Sequence, residues 1–219
     1  MALKAAIFDM DGTMIDSMPY HAQSWREFFK NQGLIVSEKD LKEKGHGTLY
    51  DIMPRFFGEH LTREESYELA MEKETLFRSM YAPFMEPIPG LEKWLDLLRK
   101  HQIKIGLGTA ADYSNTDFTL DTLHLRSYFD VIVTSDLVPE GKPSPAVYLY
   151  AAGQLGVSPE HCLVFEDTFS GVAAGKAAGM KVIAVTTMHA PHEWLDKGVD
   201  GIISSYHDAD LNTLSQLFE

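Results

Sequence analysis

The chain has 219 residues, enough for one large domain or two small ones. Its apolar fraction of 45% is ordinary for a globular protein, and 19 basic against 32 acidic side chains leave a formal net charge of −13. That balance argues against nucleic acid as a partner, whose backbone it repels, but not against a small anion, which needs only local positive charge.

The opening Met1-Ala2-Leu3-Lys4 lacks the long apolar region and cleavage site of a signal peptide. It leads straight into Ala5-Ala6-Ile7-Phe8, an apolar run expected to be a buried strand. No eighteen apolar residues follow one another, so no membrane span is expected and a cytoplasmic location is the default. Next comes Asp9-Met10-Asp11-Gly12-Thr13, placed where a central parallel strand ends and where open α/β sheets carry their chemistry. Two carboxylates so close repel each other in a partly dry site, and a divalent cation relieves that repulsion. Gly12 lets the backbone turn tightly and approach a ligand. The plainer alternative is an Asp-rich turn capping the next helix.

From Ser17 to Phe84 the pattern is helical throughout, with no convincing strand. Pro19 suits the first turn of a helix to about Gln32, with Ala22, Trp25, Phe28 and Phe29 on one face. Ser37 starts a second helix, and Gly45-His46-Gly47 breaks it. Thr48 to Phe57 forms a third, bent or interrupted at Pro54. A fourth runs from Thr62 to Met80, with a Thr62/Glu65 capping box and Leu69, Leu76, Phe77 and Met80 as its apolar positions. Together they suggest a small bundle, and the cluster Pro83, Pro87 and Pro89 marks a domain junction.

Beyond Leu91 helix and strand alternate. Leu91, Trp94, Leu95 and Leu98 line one helical face, and Ile103 to Leu107 is a strand ending at Gly108-Thr109. A helix from Tyr113 to Leu123 is expected to turn Phe118 and Leu123 inward, with Asp112 as its cap. Val131 to Val133 is the next strand. Gly141-Lys142-Pro143-Ser144-Pro145 then leads into a helix to about Leu155. His161 to Phe165 is a strand holding the single cysteine, Cys162, a buried thiol with no intrachain partner. Glu166-Asp167 tips it, and a Gly/Ala-rich helix follows from Gly171 to Ala178. Strands at 182–185 and 202–203 and a helix at 210–218 complete the chain. The expected fold class is α/β: a Rossmann-like parallel sheet with helices on both faces, formed by residues 1–16 and 85–219. An all-helical domain, residues 17–84, is inserted just after the first strand, where it can close over the site and exclude water.

The strand ends carry Asp9 and Asp11, Thr109, Lys142, and Glu166 with Asp167. In an open parallel sheet these ends share one edge, so acidic residues from two strands and one lysine can meet at a point. Carboxylates on two loops suit Mg²⁺, a hard cation that also binds phosphate. Lys142 can neutralise a carboxylate and a phosphoryl oxygen, and the Thr109 hydroxyl can donate to another. One aspartate can attack phosphorus, while the other protonates the leaving oxygen and then activates water.

On these four signatures, with the helical insertion after the first, the sequence resembles the haloacid-dehalogenase-like superfamily, in its branch of sugar-phosphate phosphatases and β-phosphoglucomutase. The resemblance covers essentially the whole chain. It implies Asp9 as nucleophile and Mg²⁺ ligand, and Asp11 as general acid and base with its backbone carbonyl on the metal. It further implies Thr109 and Lys142 as the phosphoryl-binding pair, Asp167 as a metal ligand, and Glu166 on the metal directly or through water. The insertion corresponds to the family's cap. Asp11 argues against a dehalogenase, which lacks the second aspartate.

Within the insertion the resemblance divides. Ser17-Met18-Pro19-Tyr20-His21 is similar to the start of the β-phosphoglucomutase cap, where a histidine matching His21 pairs with the general acid. Lys73 aligns roughly with a supporting cap lysine. Ordinary surface roles stand as alternatives for both. Thr48 occupies the position of the mutase arginine that grips a distal phosphate, and a threonine has no planar fork of donors. The Gly45-His46-Gly47 turn is either a specificity loop or a simple break between helices. Ala110-Ala111 leaves fewer donors beside Thr109 than relatives offer. The expected function is therefore a Mg²⁺-dependent phosphatase acting on a small phosphorylated metabolite, a sugar phosphate first. The alternatives are β-phosphoglucomutase and a non-catalytic phosphate-binding or partner-binding domain. No nucleic acid or membrane is expected as a partner, and a monomer or weak homodimer is.

Overall fold

A computed structural model describes residues 2–45 and 49–219. Two compact units partition the chain: Met1–Asp16 with Met85–Glu219, and Ser17–Phe84.

The first unit is built on a parallel sheet of β1 (Ala5–Phe8), β2 (Lys104–Gly108), β3 (Val131–Val133), β4 (Cys162–Glu166), β5 (Lys181–Val185) and β6 (Gly201–Ile203). Their order is β3-β2-β1-β4-β5-β6, every pair parallel. The chain winds outward from β1 to β3, then crosses to β4 on β1's other side. The winding direction therefore reverses between β1 and β4, the place where such sheets bind ligands.

β1 can occupy the centre because all four of its residues are apolar and fully buried. Ala5, Ile7, Cys162 and Val164 face the layer of α7 (Ala146–Leu155) and α8 (Phe169–Ala177). The small residues of α8 let it lie close: a Cβ on Gly175 would stand 2.8 Å from Val182 Cγ2. On the opposite face Phe8 stacks on its register partner Phe165, centroids 4.8 Å apart and planes 6° off parallel. Trp94 of α5 (Leu91–Lys100) meets Phe165 edge-on at 6.1 Å. Each fully buried phenylalanine contributes roughly 1.5–3 kcal/mol over exposure, so this aromatic layer anchors the two strands that carry the site.

One inward face differs from the expectation. In α6 (Tyr113–Thr122) the buried residues are Asn115, Thr116, Thr119 and Leu120, while Phe118 and Leu123 are only half-buried. The Thr116 hydroxyl satisfies itself on the Asp112 carbonyl at 2.8 Å, so threonine can be buried without an unmet hydrogen bond. Asp112 does cap the helix, accepting from Asn115 N at 2.8 Å.

The second unit comprises α1 (Met18–Asn31), α2 (Glu38–Lys44), α3 (Leu49–Phe57) and α4 (Arg63–Tyr81), with Pro54 inside α3. Trp25, Phe28, Phe29, Ile52, Met53 and Ala70 form its core. Ser37 caps α2 by accepting from Asp40 N at 3.0 Å, and Thr62 and Glu65 form a complete capping box on α4. The buried stripe of α4 is Ser66, Ala70, Lys73, Glu74, Phe77 and Tyr81. Of the expected apolar positions Phe77 is buried, while Leu69, Leu76 and Met80 are half-buried. Two adjacent charged residues take the interior because they neutralise each other, Lys73 Nζ lying 2.8 Å from Glu74 Oε1. Among the described residues no helix is long and apolar enough to cross a membrane.

Candidate active site

The turn after β1 is held from several sides. Asp9 N donates to Phe165 O at 3.0 Å, extending the β1–β4 ladder by one residue. The Met10 carbonyl then accepts from Thr13, Met14 and Ile15 N–H groups at 2.8–3.3 Å, folding the chain back on itself. Gly12 takes φ +80°, the left-handed region that glycine enters freely. The Thr187 hydroxyl donates to Gly12 O at 2.5 Å, and Tyr206 OH donates to Thr13 O at 3.0 Å. Both donors come from loops beyond β5 and β6.

Around this turn the structure gathers Asp9, Glu166 and Asp167, each offering a carboxylate oxygen within 4.8 Å of the others. All three are buried. Lys142 enters from the loop before α7, with Nζ 2.5 Å from Asp9 Oδ1 and 2.6 Å from Glu166 Oε1. Glu166 Oε1 also accepts from Tyr148 OH at 2.8 Å. Its Oε2 accepts from Asp167 N, Thr168 N and Thr168 Oγ1 at 2.9–3.0 Å. Gly171 makes room for that carboxylate, since a Cβ there would lie 1.7 Å from Glu166 Oε1. Thr13 Oγ1 donates to Asp167 Oδ1 at 3.1 Å.

Thr109, also buried, follows β2; its hydroxyl oxygen accepts from Ala111 N at 3.0 Å, which does not use the hydroxyl's own proton. Asp11 is half-buried, two residues beyond Asp9, and is not one of the three clustered carboxylates. In the helical unit Lys73 Nζ lies 3.0 Å from His21 Nδ1, over the Trp25 ring at 4.9 Å. His21 stacks on Phe77, centroids 3.6 Å apart. An ammonium only donates, so Nδ1 is the acceptor in this contact. Thr48, His46 and Gly47 lie outside the described residues.

Electrostatically the cluster is one cation short. Burial, with the neighbouring charges of Glu166 and Asp11, raises Asp9 to about 8 against the pull of Lys142. Burial, then the charges of Glu166 and Asp9, holds Asp167 well above the carboxylate range. Burial also opposes ionisation of Glu166, but Lys142 overcomes it and keeps Glu166 below its ordinary value. Three buried carboxylates thus share one ammonium, and only Glu166 has its charge matched. Asp167 Oδ2 is buried with no hydrogen-bond partner. An oxygen-only donor set with excess negative charge and an orphaned carboxylate oxygen fits a hard divalent cation such as Mg²⁺.

Sequence reasoning passed over Tyr148, Thr187, Tyr206 and the role of Gly171. Thr187 was accessible to the rule applied to the other strands, because it follows β5 at the same sheet edge. Tyr148 reads as one more apolar residue of a helix, and Tyr206 sits in a loop with no pattern of its own.

A family model described as haloacid dehalogenase-like hydrolase matches residues 3–179. The fructose-1-phosphate phosphatase YqaB of Escherichia coli is 33% identical over 181 residues, covering 82% of this chain and 94% of that protein. The β-phosphoglucomutase of Bacillus subtilis is 32% identical over 193 residues, covering 84% and 83%. Among solved structures, a HAD hydrolase of family IA, variant 3, from Entamoeba histolytica superposes with a TM-score of 0.89 at 30% identity, covering 98% of this chain and 99% of that one. A match over most of the chain, joined to a parallel sheet with its acidic cluster at the point of reversed winding, makes this protein a member of the haloacid dehalogenase-like hydrolase family.

Proposed function

We propose that this phosphoric monoester hydrolase is Mg²⁺-dependent and removes phosphate from a small phosphorylated sugar through an aspartyl-phosphate intermediate. The observation that carries the reading is Asp9, held 2.5 Å from Lys142 and clustered within 4.8 Å, oxygen to oxygen, with Asp167, whose Oδ2 is unpartnered. Asp9 and Asp167 would hold the cation, with the Asp11 carbonyl. When bound, the cation offsets carboxylate charge and charge developing on the phosphoryl group.

The chain's own residues then divide the work. An Asp9 carboxylate oxygen attacks phosphorus, and the bond to the sugar oxygen breaks. Asp11 delivers its proton to that leaving oxygen. In the second half Asp11 takes a proton from water, which attacks phosphorus, releases phosphate and regenerates Asp9. Lys142 and the Thr109 hydroxyl bind the equatorial phosphoryl oxygens. Glu166, whose two oxygens already accept five hydrogen bonds, holds Lys142 in place rather than serving as a direct ligand. The helical unit, residues 17–84, acts as the cap that selects the leaving group.

β-Phosphoglucomutase is the second reading, favoured by the contact between His21 and Lys73. A mutase must retain the aspartyl phosphate and grip a second phosphate, which Thr48 is poorly equipped to do. The deciding experiment is a phosphate-release screen in Mg²⁺ with hexose 1- and 6-phosphates, pentose and polyol phosphates, pyrophosphate and phosphoglycolate. β-Glucose 1-phosphate is added with and without a trace of bisphosphate. Rapid phosphate release from a sugar phosphate is expected; rapid isomerisation with little release establishes the mutase instead.

A further inference from the structure

We infer that Tyr148 is a positioning residue for phosphoryl binding, holding the Lys142 ammonium through Glu166 and through its own ring. This rests on the phosphoryl-binding role proposed above for Lys142. Tyr148 lies on α7, fully buried, six residues beyond the lysine. Its hydroxyl donates to Glu166 Oε1 at 2.8 Å, the same oxygen that lies 2.6 Å from Lys142 Nζ. Its ring lies beneath that ammonium, centroid 4.9 Å from Nζ. The ring is itself confined: a Cβ on Gly108 would stand 3.2 Å from its Cδ1 and Cε1.

Lys142 needs such support. It sits in a loop, its stem has four rotatable bonds, and its ammonium has three protons to place. Asp9 and Glu166 receive two of them, leaving one for a phosphoryl oxygen. The Tyr148 hydroxyl occupies the second acceptor position of Glu166 Oε1, so that oxygen draws less strongly on the ammonium. The ring face closes the side from which the ammonium could drift. Without the hydroxyl, Lys142 settles onto Glu166 and away from the phosphoryl position.

Tyr148→Phe tests this. It keeps the ring and its apolar contacts, and Glu166 Oε1 keeps Lys142, so no buried polar atom is orphaned and the fold is retained. Orthovanadate, a phosphoryl-transfer analogue, is titrated calorimetrically in Mg²⁺ against both proteins. The variant's Kd is expected to rise about fivefold to twentyfold, with kcat/KM for the best substrate falling in proportion. Titrating well below the melting temperature of both proteins keeps each fully folded, and irreversibly inactive molecules lower the binding stoichiometry rather than the Kd, so a purely structural role would leave the Kd unmoved. A Kd within about twofold of wild type overturns the inference. Repeating the pair in a Lys142→Ala background should give no further loss of affinity. A further loss of the same size shows that Tyr148 acts elsewhere and overturns it too. If wild type binds vanadate yet hydrolyses none of the screened compounds, the proposed function falls while the Kd ratio still decides on Tyr148. A wild-type protein that binds no vanadate overturns both.

Discussion

Gly12 and Asp167 meet so closely that a single methyl group cannot fit between them: a Cβ on Gly12 would lie 1.9 Å from Asp167 Oδ2. The glycine is needed twice, for its φ of +80° and for this contact. The oxygen it makes room for is the one with no hydrogen-bond partner.

Gly12→Ala should therefore damage both stability and metal use. The left-handed backbone alone costs about 1–2 kcal/mol for a residue with a Cβ, and Asp167 must turn away besides. Thermal melts should fall, and the Mg²⁺ concentration giving half-maximal activity should rise on the order of tenfold or more, as when a ligand-orienting group is lost. An unchanged Mg²⁺ requirement would detach Asp167 from the metal.

The raised carboxylates also link stability to pH. Asp9 binds its proton more tightly in the folded metal-free protein, about 8, than at its ordinary value of 3.8. The stability this contributes is fully present below about pH 4 and is lost as the pH rises through about 8. Asp167 acts in the same direction. In EDTA the contribution of these groups to the melting temperature should decline over that window. Added Mg²⁺, which binds the deprotonated forms, should raise it more at pH 8 than at pH 5. Equal Mg²⁺-induced shifts at the two values would contradict the linkage.

Asp9→Asn removes the oxygen proposed to attack phosphorus and one negative charge. Turnover should fall about 10³-fold or more. A phosphoryl adduct, expected by mass spectrometry in quenched wild type, should be absent from the variant. Because repulsion within the cluster is relieved, the metal-free variant should melt higher than wild type at pH 8. Turnover near the wild-type rate would remove Asp9 from the nucleophile's role.

Lys73→Met deprives buried Glu74 of its ammonium partner. Breaking such a pair costs about 3–5 kcal/mol, which urea denaturation should report. The double variant Lys73→Met, Glu74→Gln should recover part of that loss. If the single variant is as stable as wild type, the pair is not what allows charge inside α4.

Much of this molecule could be read before it was seen, for identifiable reasons. The strands of a parallel sheet buried on both faces are short apolar runs, so Ala5–Phe8 and Cys162–Glu166 stand out against polar flanks. The residues closing those runs, Asp9 and Glu166 among them, lie on one sheet edge by topology, and the structure brings them together with Lys142. What stayed hidden depends on neighbours remote in sequence. Nothing local reveals that Tyr148 reaches Glu166 or that Tyr206 reaches Thr13. In α4 Phe77 lies inside as its spacing predicts, but adjacent Lys73 and Glu74 look like a solvated face until their pairing and the aromatic rings around them are known. In α6 threonines occupy the inner face, where a scale of side-chain polarity would not put them.

The central position of β1 has a consequence for the newborn chain. This strand leaves the ribosome before either of its neighbours, since Ala5 pairs with Lys104 on one side and Cys162 on the other. Until β2 emerges four apolar residues bear two open edges, and until β4 emerges one, the kind of segment that recruits other chains when left waiting. The intervening residues 17–84 carry their own core of Trp25, Phe28 and Phe29 and can condense in the interval. The turn after β1, fastened to β4 and to the loops after β5 and β6, assumes its shape only once Thr187 and Tyr206 have been made. A truncated product should therefore be not a weakened enzyme but a helical bundle trailing an adhesive strand, and a natural target for chaperones.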